Sequence, residues 1–400
     1  MSELDPTPMR SAVTRRRFLQ GTGMAGLGAF IAACSSPGTS AAPSGAASAP
    51  PATTDPNATP SDVLNFANWP LYIDTDDDDP TKHASLENFT AEFGTVVMYS
   101  EVINDNSEFF GTIRAPLEAG QDTGWDLMVL TDWMAARIVR LGWAEKLDLA
   151  NVPNYVANLE DAYKAPDFDP GNEYHAPWQA GMTGLGFDEA VTGPLTSADA
   201  LWDPQWAGRV TYLSEMRDAT TLALGRLGYK NSTVTREQFD EAVAEMQKAV
   251  DDGIVRAFTG NEYAEDLVAG NVVLAMAWSG DIIQKQLERE TLQFAIPAEG
   301  GNLWYDNLMI PKGAQHKYTA ELYIDYYYRP DVAALVEAWV NYICPVKGAK
   351  EEILKIDESL ADSELIFPSE ATLAGVSRFK SLSEEDETYF NDQFSNLIGV

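Results

Sequence analysis

Gly300-Gly301-Asn302-Leu303-Trp304-Tyr305-Asp306-Asn307-Leu308-Met309-Ile310-Pro311 is the stretch that organises the rest of the chain. A Gly-Gly turn leads into an apolar, aromatic run and Pro311 closes it, which predicts a short strand of period two. Side chains alternate along a strand, so Trp304 and Asp306 share one face. An aromatic plate beside a carboxylate suits an organic cation: the ring offers its negative π face and the carboxylate a full charge. A core tryptophan beside a surface aspartate has the same spacing, so the choice rests on the remaining sequence.

The chain has 400 residues, 45% of them hydrophobic. That is ordinary for a folded protein but longer than one hydrophobic core supports, so two lobes are expected. Acidic residues number 61 against 27 Lys and Arg, a formal net charge of −34. Such a surface repels nucleic acid and anionic membrane and draws cations toward it, so no nucleic-acid partner is expected.

Residues 1–33 read as an address label. Thr14-Arg15-Arg16-Arg17-Phe18-Leu19-Gln20 matches a twin-arginine export signal, and a weakly hydrophobic Gly- and Ala-rich run follows from Gly21 to Ala33. That run is too short to span a bilayer. Ile31-Ala32-Ala33-Cys34 resembles a bacterial lipobox, in which the cysteine is acylated and becomes the new N-terminus. Lipidation is therefore expected at Cys34; the other reading is a retained anchor helix. Gly21, Gly23 and Gly26 fit the dinucleotide fingerprint but follow no strand, so no cofactor is inferred. With Cys34 acylated, only Cys344 remains and no intramolecular disulfide is expected. Residues 34–61 are mostly Ser, Pro, Ala, Thr and Gly, the composition of a disordered tether.

The folded part opens with a strand from Val63 to Ala67, which Pro70 stops, leaving Asn68 to Tyr72 as a loop. The run from Asp74 to Asp79 starts like a calcium loop. It has Asp79 where that loop needs Gly and Ser85 where it needs Glu, so it reads as a solvated loop and no metal site is assigned. Helix His83–Phe93, strand Val96–Tyr99, helix Ser107–Glu118, strand Trp125–Leu130 and helix Met134–Leu141 follow. Strand and helix in alternation is the α/β signature. The glycine-punctuated run Trp178–Phe187 reads as a crossover between lobes. A second block repeats the pattern: strand Arg209–Leu213, helices Ala219–Leu227 and Arg236–Val250, strand Val272–Trp278 and helix Ile282–Glu288. Helices Thr319–Tyr328 and Asp331–Val340 come after the Trp304 strand, and a mostly polar tail with helical stretches ends the chain.

Catalytic constellations are thin. The three histidines, His83, His175 and His316, lie in separate segments, and no zinc-protease, nucleophile-elbow or phosphate-loop motif occurs. Glu215 and Asp218 sit three apart at a strand-helix junction, a spacing open to a carboxylate-dependent hydrolase or simply to acids at a helix N-terminus. What recurs at strand ends is aromatics and acids: Trp69 and Tyr72, Trp133, Glu215 and Asp218, Trp278 with Asp281, Trp304 with Asp306; Thr131 falls at the same kind of position. Ligands of α/β sheets lie beyond the carboxyl ends of the strands, so these residues point to a cleft lined to receive a cation.

On Asn68-Trp69-x-x-Tyr72, Trp125-Asp126-Leu127, Met276-Ala277-Trp278-Ser279-Gly280, Gly300-Gly301-x-x-Trp304-x-Asp306, Arg329-Pro330-Asp331-Val332-Ala333 and Tyr342, the chain resembles the spermidine/putrescine-binding proteins of polyamine ABC transporters over about residues 62–345. The resemblance implies a two-lobed, periplasmic-binding-protein-like α/β fold of type II with crossover hinge strands. One lobe would span 62–180 and 306–345, the other 181–305 and 346–400. It implies no enzyme but a monomeric receptor, lipid-anchored at the outer face of the cytoplasmic membrane or in the periplasm, that hands a polyamine to a permease. It places Trp69, Tyr72, Trp133, Trp278, Trp304 and Tyr342 around the aliphatic spine. Asp306 would meet one ammonium and Glu215 and Asp218 the other, with Thr131 as a hydroxyl contact. Glu215 and Asp218 reverse the family's usual Asp-then-Glu order, and Trp133 replaces a tyrosine. Other solutes on the same fold, such as a quaternary amine or a metal complex, remain open.

Overall fold

The computed structural model describes residues 58–76 and 78–399. The export signal, Cys34 and the tether as far as residue 57 lie outside the described residues, as do Asp77 and Val400.

The core is one ten-stranded sheet in the order β2-β1-β3-β9-β4-β7-β5-β6, with β10 beside β9 and β8 beside β4. In chain order β1 is Val63–Asn68, β2 Val96–Glu101, β3 Leu127–Thr131, β4 Ala176–Asp188, β5 Val210–Leu213 and β6 Val255–Thr259. β7 is Leu274–Trp278, β8 Leu292–Ala295, β9 Gly301–Met309 and β10 Val376–Ser377. The pairs β1–β2, β1–β3, β5–β6 and β5–β7 are parallel. Two parallel blocks therefore stand at the two ends of the sheet. The long strands β4 and β9 join them, antiparallel to each other, to β7 and to β3.

The named helices cover the two blocks. α1 is Ala84–Phe93, α2 Asn106–Glu118 and α3 Asp132–Arg140 around the first. α4 is Met216–Arg226, α5 Arg236–Asp251, α6 Glu262–Ala269 and α7 Ser279–Lys285 around the second. Local sequence explains their ends. Asp105 caps α2 by accepting from the Ser107 and Glu108 amides, Thr235 and Gln238 form a capping box on α5, and Gly94 ends α1 at φ +76°. α8, Lys317–Tyr327, and α9, Pro330–Val340, flank the first block. Tyr328 and Arg329 separate the two helices and Pro330 opens α9, where its missing N–H costs nothing.

Three expectations change. β6, α6 and β8 escape the sequence reading; β6 and β8 are partly exposed and short, so neither alternation nor a long apolar run marks them. Asp74 is buried, 4% exposed, where it accepts the Ser85 amide at 2.9 Å at the start of α1, so it is no part of a solvated loop. Residues 346–400 do not stay together. Val346 bridges to Leu159, and α10 (Ala349–Ile356) packs on α9. β10 instead pairs with β9, and α11 (Glu384–Ile398) lies along α5.

Candidate ligand-binding cleft

Strand register assembles the cleft. On β9, Asp306 stands opposite Thr131 of β3, Trp304 opposite Gly181 of β4 and Asn302 opposite Thr183. Thr183 in turn stands opposite Trp278 of β7. Period-two alternation puts Asn302, Trp304 and Asp306 on one face, so β9 alone carries an amide, an indole and a carboxylate into a single cleft of about 680 Å³. All eleven residues singled out from the sequence line it.

Five of the aromatics form an unbroken belt. Trp69 meets Trp278 edge to face at 6.2 Å, Trp278 meets Trp304 at 6.4 Å, Trp304 meets Tyr342 at 5.6 Å and Tyr342 meets Tyr72 at 5.0 Å. Two glycines admit the rings. A Cβ on Gly181 would lie 2.4 Å from the Trp304 indole, and one on Gly280 would lie 2.3 Å from the Tyr342 ring. Buried polar tips are satisfied: Trp69 Nε1 donates to the Val129 carbonyl at 3.1 Å and Trp304 Nε1 to Thr183 Oγ1 at 3.0 Å. Trp133 stands apart from this belt. It lines the cleft, but the Arg217 guanidinium lies 3.9 Å over its ring, so one π face is already taken by a cation of the protein.

The acids divide by what holds them. Asp218 accepts from Thr183 Oγ1 at 2.6 Å, Asn302 Nδ2 at 2.8 Å and Trp278 Nε1 at 3.2 Å. Asp281 accepts from Tyr342 at 2.7 Å, Tyr263 at 2.8 Å and Asn261 at 2.9 Å, so it positions the Tyr342 ring. Glu215 accepts the Asn106 amide at 2.9 Å and its Nδ2 at 3.0 Å, and Asn106 Nδ2 also reaches Thr131 Oγ1 at 2.8 Å. Because Asn106 opens α2, Glu215 ties the second block to the first across the cleft. Asp306 is held on one oxygen alone: Tyr72 donates to Oδ2 at 2.8 Å, while Oδ1 is buried and has no hydrogen-bond partner among the described residues.

Burial dominates the electrostatics. It raises the carboxyls of Asp218 and Asp281, and it raises Glu215 further with the help of the Asp105 charge. Asp306 is pushed up to about 7, by burial first and then by the nearby charges of Asp132 and Asp218, against the pull of the Thr131 and Tyr72 hydroxyls. The cleft is lined by seven carboxylates against five basic side chains, so acids exceed cations by two, and desolvation lifts the proton affinity of Glu215, Asp218, Asp281 and Asp306. It has flat apolar walls and buried acids, and among the described residues no group of three or more His, Cys, Asp or Glu is placed to hold a metal ion.

Sequence reasoning missed several lining residues. Asp132 follows Thr131 and is pushed up to about 6 by burial, with Arg378 and Arg217 pulling it down. Its position next to Thr131 was a usable signal. Asn106, Asn261 and Asn302 also line the cleft as amide partners of the acids. Arg378 and Lys380 reach it from the tail, where no local pattern announces them.

The profile described as bacterial extracellular solute-binding protein matches residues 84–365. The spermidine/putrescine-binding periplasmic protein of Salmonella typhimurium is 28% identical over 320 residues, covering 80% of this chain and 86% of that protein. The protein of the same name from Escherichia coli is 28% identical over 346 residues, covering 86% and 89%. Among solved structures, a putative spermidine/putrescine ABC transporter protein from Listeria monocytogenes superposes with a TM-score of 0.73 at 24% identity, covering 84% of this chain and 99% of its own. That neighbour shares the two-lobed α/β fold of type II.

Proposed function

The chain belongs to the bacterial extracellular solute-binding protein family, whose members are transport receptors and not enzymes, and from that premise we propose that its cleft captures a polyamine of the putrescine/spermidine class. The protein then delivers it to an ABC permease from outside the cytoplasmic membrane. The observation that carries this reading is Asp306: a buried carboxylate with one free oxygen at the edge of an aromatic belt. A desolvated ammonium needs a full opposite charge within hydrogen-bond reach, and the belt accepts the methylene spine. Asp306 lies four positions along β9 from Asn302, the amide that holds Asp218. At about 3.3 Å per residue that is roughly 13 Å of backbone, suited to an extended ligand charged at both ends.

The names of the relatives support the ligand class. The twin arginines and the lipobox support export and anchoring through Cys34, and the two parallel blocks support lobes, broadly 62–180 with 306–345 and 181–305, that close as a monomer over the ligand. A thermal-shift panel tests the ligand class. A ligand of the folded state at a hundred times its dissociation constant adds about 2.7 kcal/mol of stability by mass action. Putrescine and spermidine should raise the melting temperature, and sugars and neutral amino acids should leave it unchanged. A shift with a quaternary amine and none with either polyamine would replace the ligand class.

A further inference from the structure

Past the residues that the family profile matches, the chain returns across the mouth of the cleft. β10 pairs with the start of β9, residues 378–382 line the cleft, and α11 anchors on α5 through Phe390 stacked on Phe239 at 4.0 Å. In the first turn of α11 Glu387 is buried among three arginines. Its Oε1 lies 3.2 Å from Nη2 of Arg217 and 3.2 Å from Nη2 of Arg137. Its Oε2 lies 3.2 Å from Nη2 of Arg140 and 3.4 Å from Nε of Arg137. Arg137 and Arg140 belong to α3, which follows β3 in the first block. Arg217 belongs to α4, which follows β5 in the second.

We propose that Glu387 is a latch that pins the two halves together in the closed arrangement and so sets how fast the ligand leaves the cleft. The idea rests on the cleft being a closing ligand site. One carboxylate on a third segment bonds to both sides of the cleft at once, so separating the sides must break it. Nearly excluded from water, its bonds are screened little and are shorter-range than any steering effect, so they act on release more than on encounter. The latch and the cleft share a turn of helix: Arg217 lies between Glu215 and Asp218 and stacks on Trp133 of the opposite side. A ligand drawing the two acids toward the first block therefore also seats Arg217 against Glu387.

The test compares the full chain with Glu387→Gln, Arg140→Gln and Asp386→Asn. Asp386 lies on the same helix, but its partners are Arg236 of α5, at 2.7 Å, and Lys380 of its own tail segment, at 4.0 Å, so it bridges nothing across the cleft. Arg140 approaches the latch from the other side and is half-exposed, which guards against a variant that fails to fold. Putrescine release, followed by tryptophan fluorescence in stopped flow, should speed up on the order of tenfold or more in Glu387→Gln and less in Arg140→Gln, with association within about threefold of the parent. Asp386→Asn should release at the parental rate. Small-angle scattering without ligand should show a larger radius of gyration for Glu387→Gln than for Asp386→Asn. Equal radii for those two variants, or release from Glu387→Gln within about twofold of the parent, would overturn the latch. If the parent binds no polyamine at all, the ligand class fails, and the scattering comparison alone still decides for or against the latch.

Discussion

The Tyr72 hydroxyl donates to Asp306 Oδ2 at 2.8 Å, joining the loop after β1 to the middle of β9 and leaving the other carboxylate oxygen buried without a hydrogen-bond partner among the described residues. Tyr72 is itself fixed by its neighbours, since its carbonyl accepts Trp178 Nε1 at 3.2 Å and Asn68 Nδ2 at 3.3 Å. The carboxylate is therefore held in place before a ligand arrives, and little ordering is left to oppose binding.

Asp306→Asn keeps the shape and removes the charge. A buried ammonium left without its opposite charge should cost on the order of 2–5 kcal/mol, roughly a 30- to 4,000-fold weaker dissociation constant. Calorimetric titration with putrescine and spermidine measures it. Binding of both within about threefold of the parent would remove Asp306 from the site.

Binding should depend on pH through the same group. Its folded pKa of about 7 lies above the ordinary carboxyl value of 3.8, so below about pH 7 Asp306 holds a proton that an ammonium must displace. Affinity should rise with pH and level off above about 7. The contribution of this group to the stability of the free protein runs the other way, falling from about pH 4 through about pH 7, because the folded state binds the extra proton. Calorimetry in two buffers of different ionisation enthalpy should show close to one proton released per ligand near pH 6 and almost none from this group near pH 8. Equal proton release at both would contradict the assignment.

Gly181→Ala tests the aromatic belt without touching an acid. A Cβ placed 2.4 Å from the Trp304 ring forces the indole to tilt and breaks its bond to Thr183. Overpacking of this kind typically costs about 1–3 kcal/mol. Both stability and polyamine affinity should fall, with a changed near-ultraviolet circular dichroism signal from the displaced tryptophan. An unaltered spectrum and unaltered affinity would mean that Trp304 has room to spare.

Cys34→Ser should release folded protein from the membrane into the medium, because we read Ile31-Ala32-Ala33-Cys34 as a lipobox with its cysteine as the proposed anchor. Mass spectrometry of membrane-extracted parent protein should find an acylated Cys34. An unmodified cysteine there would end the lipoprotein reading.

Alternation of strand and helix was legible because period-two and helical apolar patterns are local, and so was the strand bearing Trp304 and Asp306. The cleft residues at the ends of β1, β3, β5 and β7 were legible for a topological reason, since ligands of such sheets gather beyond the carboxyl ends of their strands. What meets what was not. The pairing of Thr131 with Asp306 and of Gly181 with Trp304 depends on register between strands far apart in sequence, and a shift of one residue would turn Trp304 and Asp306 to the opposite face. The stacking of Arg217 on Trp133, which takes that ring out of the aromatic belt, depends on two helices meeting across the cleft. Glu387 lies among acids whose local pattern is only that of a helix N-terminus, Glu384-Glu385-Asp386-Glu387. Tertiary packing alone decides that three of those acids face solvent or their own block while the fourth is buried against arginines from both sides of the cleft. A charge can be read from composition, but its partner is set by the three-dimensional path of the chain.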